Sequence, residues 1–181
     1  MIDDIKFEAS QEERPAHRPE SPAKGKTAPE GLSAIRSAGI LFDAQNEHSR
    51  DLLKGFLRAV KPFNIPLAIL GLDKQKSTLP PLEIPYIPCT SKDFSLFGRI
   101  KDGAASSFIQ KPFDILIDMS LSTGSKAGKI AQGSKAGFKI GINKDEDLFD
   151  FMFSMPADGP ENPEAFASLL ECLGKIKINR Q

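Results

Sequence analysis

From residue 38 onward the apolar positions fall into short unbroken runs, separated by stretches with the period of an amphipathic helix. The runs are Ala38–Phe42, Leu67–Leu72, Phe113–Met119 and Phe138–Ile142. Continuous apolarity over so few residues predicts strands buried on both faces, as in a parallel sheet. Between the first two runs, Leu52, Leu53, Phe56, Leu57 and Val60 share one helical stripe, and Asn46 stands where a side-chain cap is needed. Pro62 and Asn64 end that helix, which completes a βαβ unit with an expected right-handed crossover.

The rest of the pattern is less regular. Pro80, Pro81, Pro85 and Pro88 confine any strand around Ile84–Ile87 to a sheet edge, because proline removes a ladder donor. Ser91–Gly98 reads as a loop or a single helical turn, and Ala104–Ile109 as a short helix. A second helix is expected near Ser125–Ser134. Leu148–Met155 predicts a further strand with Phe149, Phe151 and Phe153 on one side. Asn162-Pro163-Glu164 combines a cap, a first-turn proline and an acid, ahead of a buried stripe of Phe166, Leu169, Leu170, Leu173 and Ile176. Strands alternating with helices predict an α/β fold. The expected form is a Rossmann-like, doubly wound, mostly parallel sheet of about five to six strands with helices on both faces.

Residues 1–36 break this pattern. Pro15, Pro19, Pro22 and Pro29 lie among mixed charges without a sustained apolar period. Such a segment cannot bury enough surface to offset its ordering entropy, which predicts a disordered arm followed by a single domain over 37–181. Ile2, Ile5 and Phe7, set among acids, read as part of a frayed end, with a short docking motif for a protein partner as the alternative.

Composition narrows the classes further. The 24 basic and 24 acidic side chains balance, so no overall field draws the chain to nucleic acid or a membrane. Four lysines, Lys126, Lys129, Lys135 and Lys139, cluster in sequence with Phe138 as the single aromatic among them, without the series of stacking partners expected for single-stranded RNA. The two cysteines, Cys89 and Cys172, lack metal-ligand spacing and fit a reducing compartment. The first residues, Met1-Ile2-Asp3-Asp4, do not read as a signal peptide, and no apolar run is long enough to span a bilayer. The expectation is a cytoplasmic protein.

Candidate chemistry concentrates after the Phe113–Met119 strand. In open parallel sheets ligands bind beyond the C-terminal strand ends, where the winding reverses. Asp43 and Asp118 occupy such ends. Asp118 precedes Ser120, Ser122, Ser125 and Lys129, and hydroxyls with lysines at a helix start can cradle a phosphate. The nucleotide P-loop pattern fails, however. With Gly128-Lys129 aligned to its Gly-Lys, Thr123 replaces the first glycine and Ile130 the magnesium-binding hydroxyl. Asp43-Ala44-Gln45-Asn46 lacks the glycines of a dinucleotide fingerprint. The repeated Gly-Ser-Lys-Ala-Gly at 124–128 and 133–137 suits a helix opened by the first copy and closed by a left-handed glycine of the second. His17 and His48 have no nucleophile signature around them, and Cys172 fits a packed position. Asp145, Glu146, Asp147 and Asp150 read as a solvated acidic loop. No catalytic residue, metal or cofactor is assigned from the sequence. The expected role is a binding or interaction module, with phosphate or nucleotide(-sugar) binding at Asp43, Asp118, Ser120, Ser122, Ser125 and Lys129 as the alternative.

Four blocks carry a family resemblance: Ala38–Asp43 (AGILFD), Phe94–Gly98 (FSLFG), Lys111–Leu121 (KPFDILIDMSL) and Ser134–Gly141 (SKAGFKIG). In this order, across residues 35–178, they resemble a small bacterial family of α/β proteins known only as a domain of unknown function. The resemblance implies a compact Rossmann-like domain and brings no activity. Phe113–Asp118, followed by a helix and Phe138–Gly141, also looks like the N-terminal half of heptosyltransferase-type glycosyltransferases. That likeness implies topology alone, since their nucleotide-sugar site lies in a second domain.

Overall fold

The computed structural model describes residues 32–73, 79–121, 125–144, 147–156 and 158–175. Six strands form one sheet: β1 (Ala38–Asp43), β2 (Leu67–Leu72), β3 (Ile87–Cys89), β4 (Ile115–Asp118), β5 (Phe138–Ile142) and β6 (Phe151–Phe153). Their spatial order is β3-β2-β1-β4-β5-β6, and every neighbouring pair is parallel. The chain winds outward from β1 to β3, returns to the centre, and winds the other way from β4 to β6.

Among the described residues four α-helices cover the sheet: α1 (Glu47–Val60), α2 (Ala104–Gln110), α3 (Ser125–Gly133) and α4 (Pro163–Lys175). Strand alternation divides the core into two layers. Ile40, Phe42, Ile115, Ile117, Ile140 and Ile142 pack with the stripes of α1 and α4. Leu41 and Leu116 point the other way, toward Phe108 and Ile109 of α2 and Ile130 of α3. Burial on both sides accounts for the unbroken apolar strands. The caps fall where the sequence places them. Asn46 Oδ1 accepts from Ser49 N at 3.1 Å, Asn64 ends the α1 region with φ 50°, and Asn162 Oδ1 accepts from Glu164 N at 2.9 Å.

Some elements depart from the sequence expectation. Structure begins before residue 37: Leu32–Ala34 form a 3-10 turn, and Ile35 belongs to the core. The proline-rich edge strand is displaced to Ile87–Cys89. The last strand shrinks to three residues because Asp150 Oδ2 accepts from Lys139 N at 2.8 Å. As a result Phe149 enters the α2/α3 layer, whereas Phe151 and Phe153 pack on the α1/α4 side. The exit of α3 uses no left-handed glycine; among the described residues the positive-φ glycines are Gly98 and Gly103. Ser134 closes that helix instead, its Oγ accepting from Ala136 N at 3.2 Å, while Lys135 N and Gly137 N donate to Ile109 O and Phe113 O. The opening of the helix at Gly124 lies outside the described residues.

Candidate functional site

The winding reverses between β1 and β4, so their C-terminal ends mark the place where an α/β sheet opens a crevice. Ser49 of α1 fills it. Its Oγ accepts from Asp43 N at 2.8 Å and donates to Met119 O at 2.9 Å, and the residue is fully buried. Asp43 Oδ1 accepts from Gln45 N at 2.9 Å, which turns the chain into the α1 start. Ser49→Ala would remove the side-chain partner of the half-buried Asp43 N–H and of the buried Met119 carbonyl. The expected loss is about 1–3 kcal/mol of stability, measurable by urea denaturation.

Beside the crevice, Asp118 and Ser120 are brought together. Asp118 Oδ1 accepts from Ser120 N at 2.8 Å. Lys144, just beyond β5, reaches back so that its Nζ lies 3.7 Å from Asp118 Oδ2 and donates to Ser120 Oγ at 3.1 Å. The side chains of Lys144 and Asp118 are 3% and 1% exposed. Two backbone features permit the return. A Cβ on Gly141 would come within 2.8 Å of Lys144 Cβ, and Asn143 takes φ 52° while its Oδ1 accepts from Met155 N at 2.7 Å.

The other predicted site residues do not gather there. Lys129 is exposed, and its ammonium lies where a side chain on Gly98 would stand. Ser122 and the side chain of Ser125 lie outside the described residues. At the end of β2, Asp73 accepts from Gln45 Nε2 and from the Tyr86 hydroxyl at 2.9 Å. An acid at this sheet position binds ribose in dinucleotide enzymes; here the chain's own side chains engage it. Burial, then the bond to Asp73, pushes the Tyr86 hydroxyl above its ordinary pKa. Burial also pushes the Cys89 thiol up to about 11, which suits a packed residue and not a nucleophile. Among the described residues no group of three or more His, Cys, Asp or Glu could hold a metal, and no helix is long and apolar enough to cross a membrane.

A different feature lies on the α2/α3 side. Phe94 and Ile100 form an antiparallel bridge beneath a tight turn. Gly98 N donates to Ser95 O at 2.8 Å and Ser95 N to Arg99 O at 2.7 Å, while Arg99 N donates to Ser95 Oγ at 3.0 Å. Gly98 adopts φ 71°, the left-handed position that a glycine takes most easily. Phe94 anchors the base in the core. At the tip, Leu96 and Phe97 are 102% and 91% exposed. Sequence reasoning passed over this pair, since an apolar run in a loop does not reveal which way it faces.

The strand order 3-2-1-4-5-6, all parallel, with helices on both faces, defines a doubly wound Rossmann-like domain. The model of a family of unknown function, DUF6913, matches residues 17–172, and the chain belongs to that family. No curated protein and no solved structure matches it.

Proposed function

We propose that this chain is a non-catalytic interaction module that meets its partner with the Leu96–Phe97 turn. The observation that supports this most is the exposure of two adjacent large apolar side chains on a hydrogen-bonded turn. Covering such side chains is worth about 1.5–3 kcal/mol each, and a turn already held in shape loses little entropy on docking. The engaged state of Ser49, Asp118, Ser120 and Lys144 supports a structural role for the crevice. The motif Ile2, Ile5 and Phe7 offers a second proposed contact for a protein partner.

Two measurements test the reading together. A photo-crosslinking amino acid at position 97 should form adducts in living cells, and one at Phe63 should not. A thermal-shift screen against phosphate, nucleotides, nucleotide-sugars and dinucleotides should leave the melting temperature unchanged. Saturation at 100-fold over Kd would add about 2.7 kcal/mol. A shift of that size that disappears in Lys129→Ala would replace this reading with phosphate binding.

A further inference from the structure

We infer that the Leu96–Phe97 turn is a docking finger for an anionic lipid surface. The inference rests on the interaction reading above and names the partner's chemistry. The tip is apolar and convex, and its base is cationic. Lys92, Arg99 and Lys101 are exposed along the loop, and Lys126 and Lys129 are exposed on the adjoining face of α3. Lys126 Nζ stands 5.6 Å above the Phe94 ring, and Lys129 reaches Gly98 of the turn itself. α3 therefore brings its two cations to the foot of the finger.

The local balance is strongly positive although the chain as a whole is neutral. Two acids share the loop. Asp93 is held by Thr90, its Oδ2 accepting from Thr90 N at 2.7 Å and Thr90 Oγ1 at 3.0 Å, and Asp102 is exposed, so together they offset two of the five positive charges. Among the described residues none of the five is ion-paired.

Two exposed apolar side chains with exposed cations at the foot of the turn and along its loop match the layering of a bilayer surface. Leucine and phenylalanine enter the boundary between headgroups and acyl chains, and lysine and arginine remain level with the phosphates. Each cation near an anionic surface improves partitioning about fivefold. A concave protein pocket could receive the tip, but the lysines and arginine of the loop and α3 would then need matching acids. A lipid surface provides anionic groups at any orientation.

The chain contains no tryptophan, so Phe97→Trp introduces a single tryptophan at the tip, whose emission can be excited selectively. With phosphatidylglycerol–phosphatidylcholine vesicles its emission should shift to the blue, and with phosphatidylcholine alone it should not. In vesicle co-sedimentation of the otherwise unsubstituted chain, Leu96→Ser/Phe97→Ser should weaken binding at least about tenfold. Lys126→Gln/Lys129→Gln should weaken it by about the same factor or more, and high salt should weaken it further. Phe63→Ser, at an exposed aromatic elsewhere, should leave binding unchanged. All four substitutions, two at the tip and two at its foot, are on exposed side chains, and unchanged melting temperatures would show that folding is intact.

Absence of a blue shift with anionic vesicles, or binding indifferent to the tip substitutions, overturns the lipid assignment. Protein adducts from position 97 together with no vesicle binding would overturn it and leave the interaction reading standing. No adduct and no vesicle binding would remove both.

Discussion

Lys144→Met is expected to cost about 3–5 kcal/mol of folding stability, because it removes the cation beside a carboxylate that is 1% exposed. In a domain of this size that corresponds to a fall in Tm of roughly 10 °C, readable by calorimetry. The loss belongs to the stranded charge more than to the attraction itself. Asp118→Asn placed in the Lys144→Met background should therefore recover part of it, since a neutral amide keeps an acceptor for Ser120 N without a charge to desolvate. A Lys144→Met variant as stable as the parent would mean that the pair contributes nothing to the sheet's C-terminal edge.

The second large effect is expected where α1 meets α4. Phe166 is 4% exposed and lies over Gly55. A Cβ on Gly55 would fall within 2.5 Å of Phe166 Cζ and 3.0 Å of Pro160 O. Phe166→Ala should cost about 3–5 kcal/mol through lost burial and the cavity left behind. It should also enlarge the groove of about 550 Å³ that these helices and the Pro160–Pro163 segment enclose. Gly55→Ala should cost about 1–3 kcal/mol by overpacking, despite the better helix propensity of alanine. With the ring gone the balance reverses. In the Phe166→Ala background Gly55→Ala should be neutral or stabilise by up to about 1 kcal/mol. Denaturant titration of the two single variants and the double variant measures this coupling, and simple additivity would show that the ring is not what the glycine accommodates.

Much of the fold could be read from local pattern because its main determinants are local. The runs at 38–42, 67–72 and 138–142 are strands, and Asn46 and Asn162 are caps, for reasons contained within a few residues of each. The edge elements were harder to place. Phe149, Phe151 and Phe153 share a period, yet Asp150 bonds to the β5 backbone and turns Phe149 to the other layer. That contact is long-range and leaves no periodic trace.

The candidate site was legible by position and not by partnership. Asp43 and Asp118 do end the two central strands. No sequence rule, however, selects Lys144 from the 24 lysines and arginines as the one that lies against Asp118, or Ser49 as the hydroxyl that bridges β1 and β4. Total charge misleads in a similar way. A balanced sum says nothing about the two lysines of α3 that meet the turn, because α3 and the loop at 92–101 join only in three dimensions.

The central pairing of β1 with β4 has a consequence for biosynthesis. Some 75 residues separate Ala38 from its partner Ile115, and translation at about 5–20 residues per second delivers them over roughly 4–15 s. Once β2 has been made, and until β4 follows, a nascent β1 has β2 on one side and an open hydrogen-bonding edge on the other. The middle of the finished sheet thus closes only after β1, β2 and β3 have all left the ribosome, and β5 and β6 then extend it from β4. Chaperone protection of the emerging polypeptide should be needed most before Asp118 has cleared the exit tunnel.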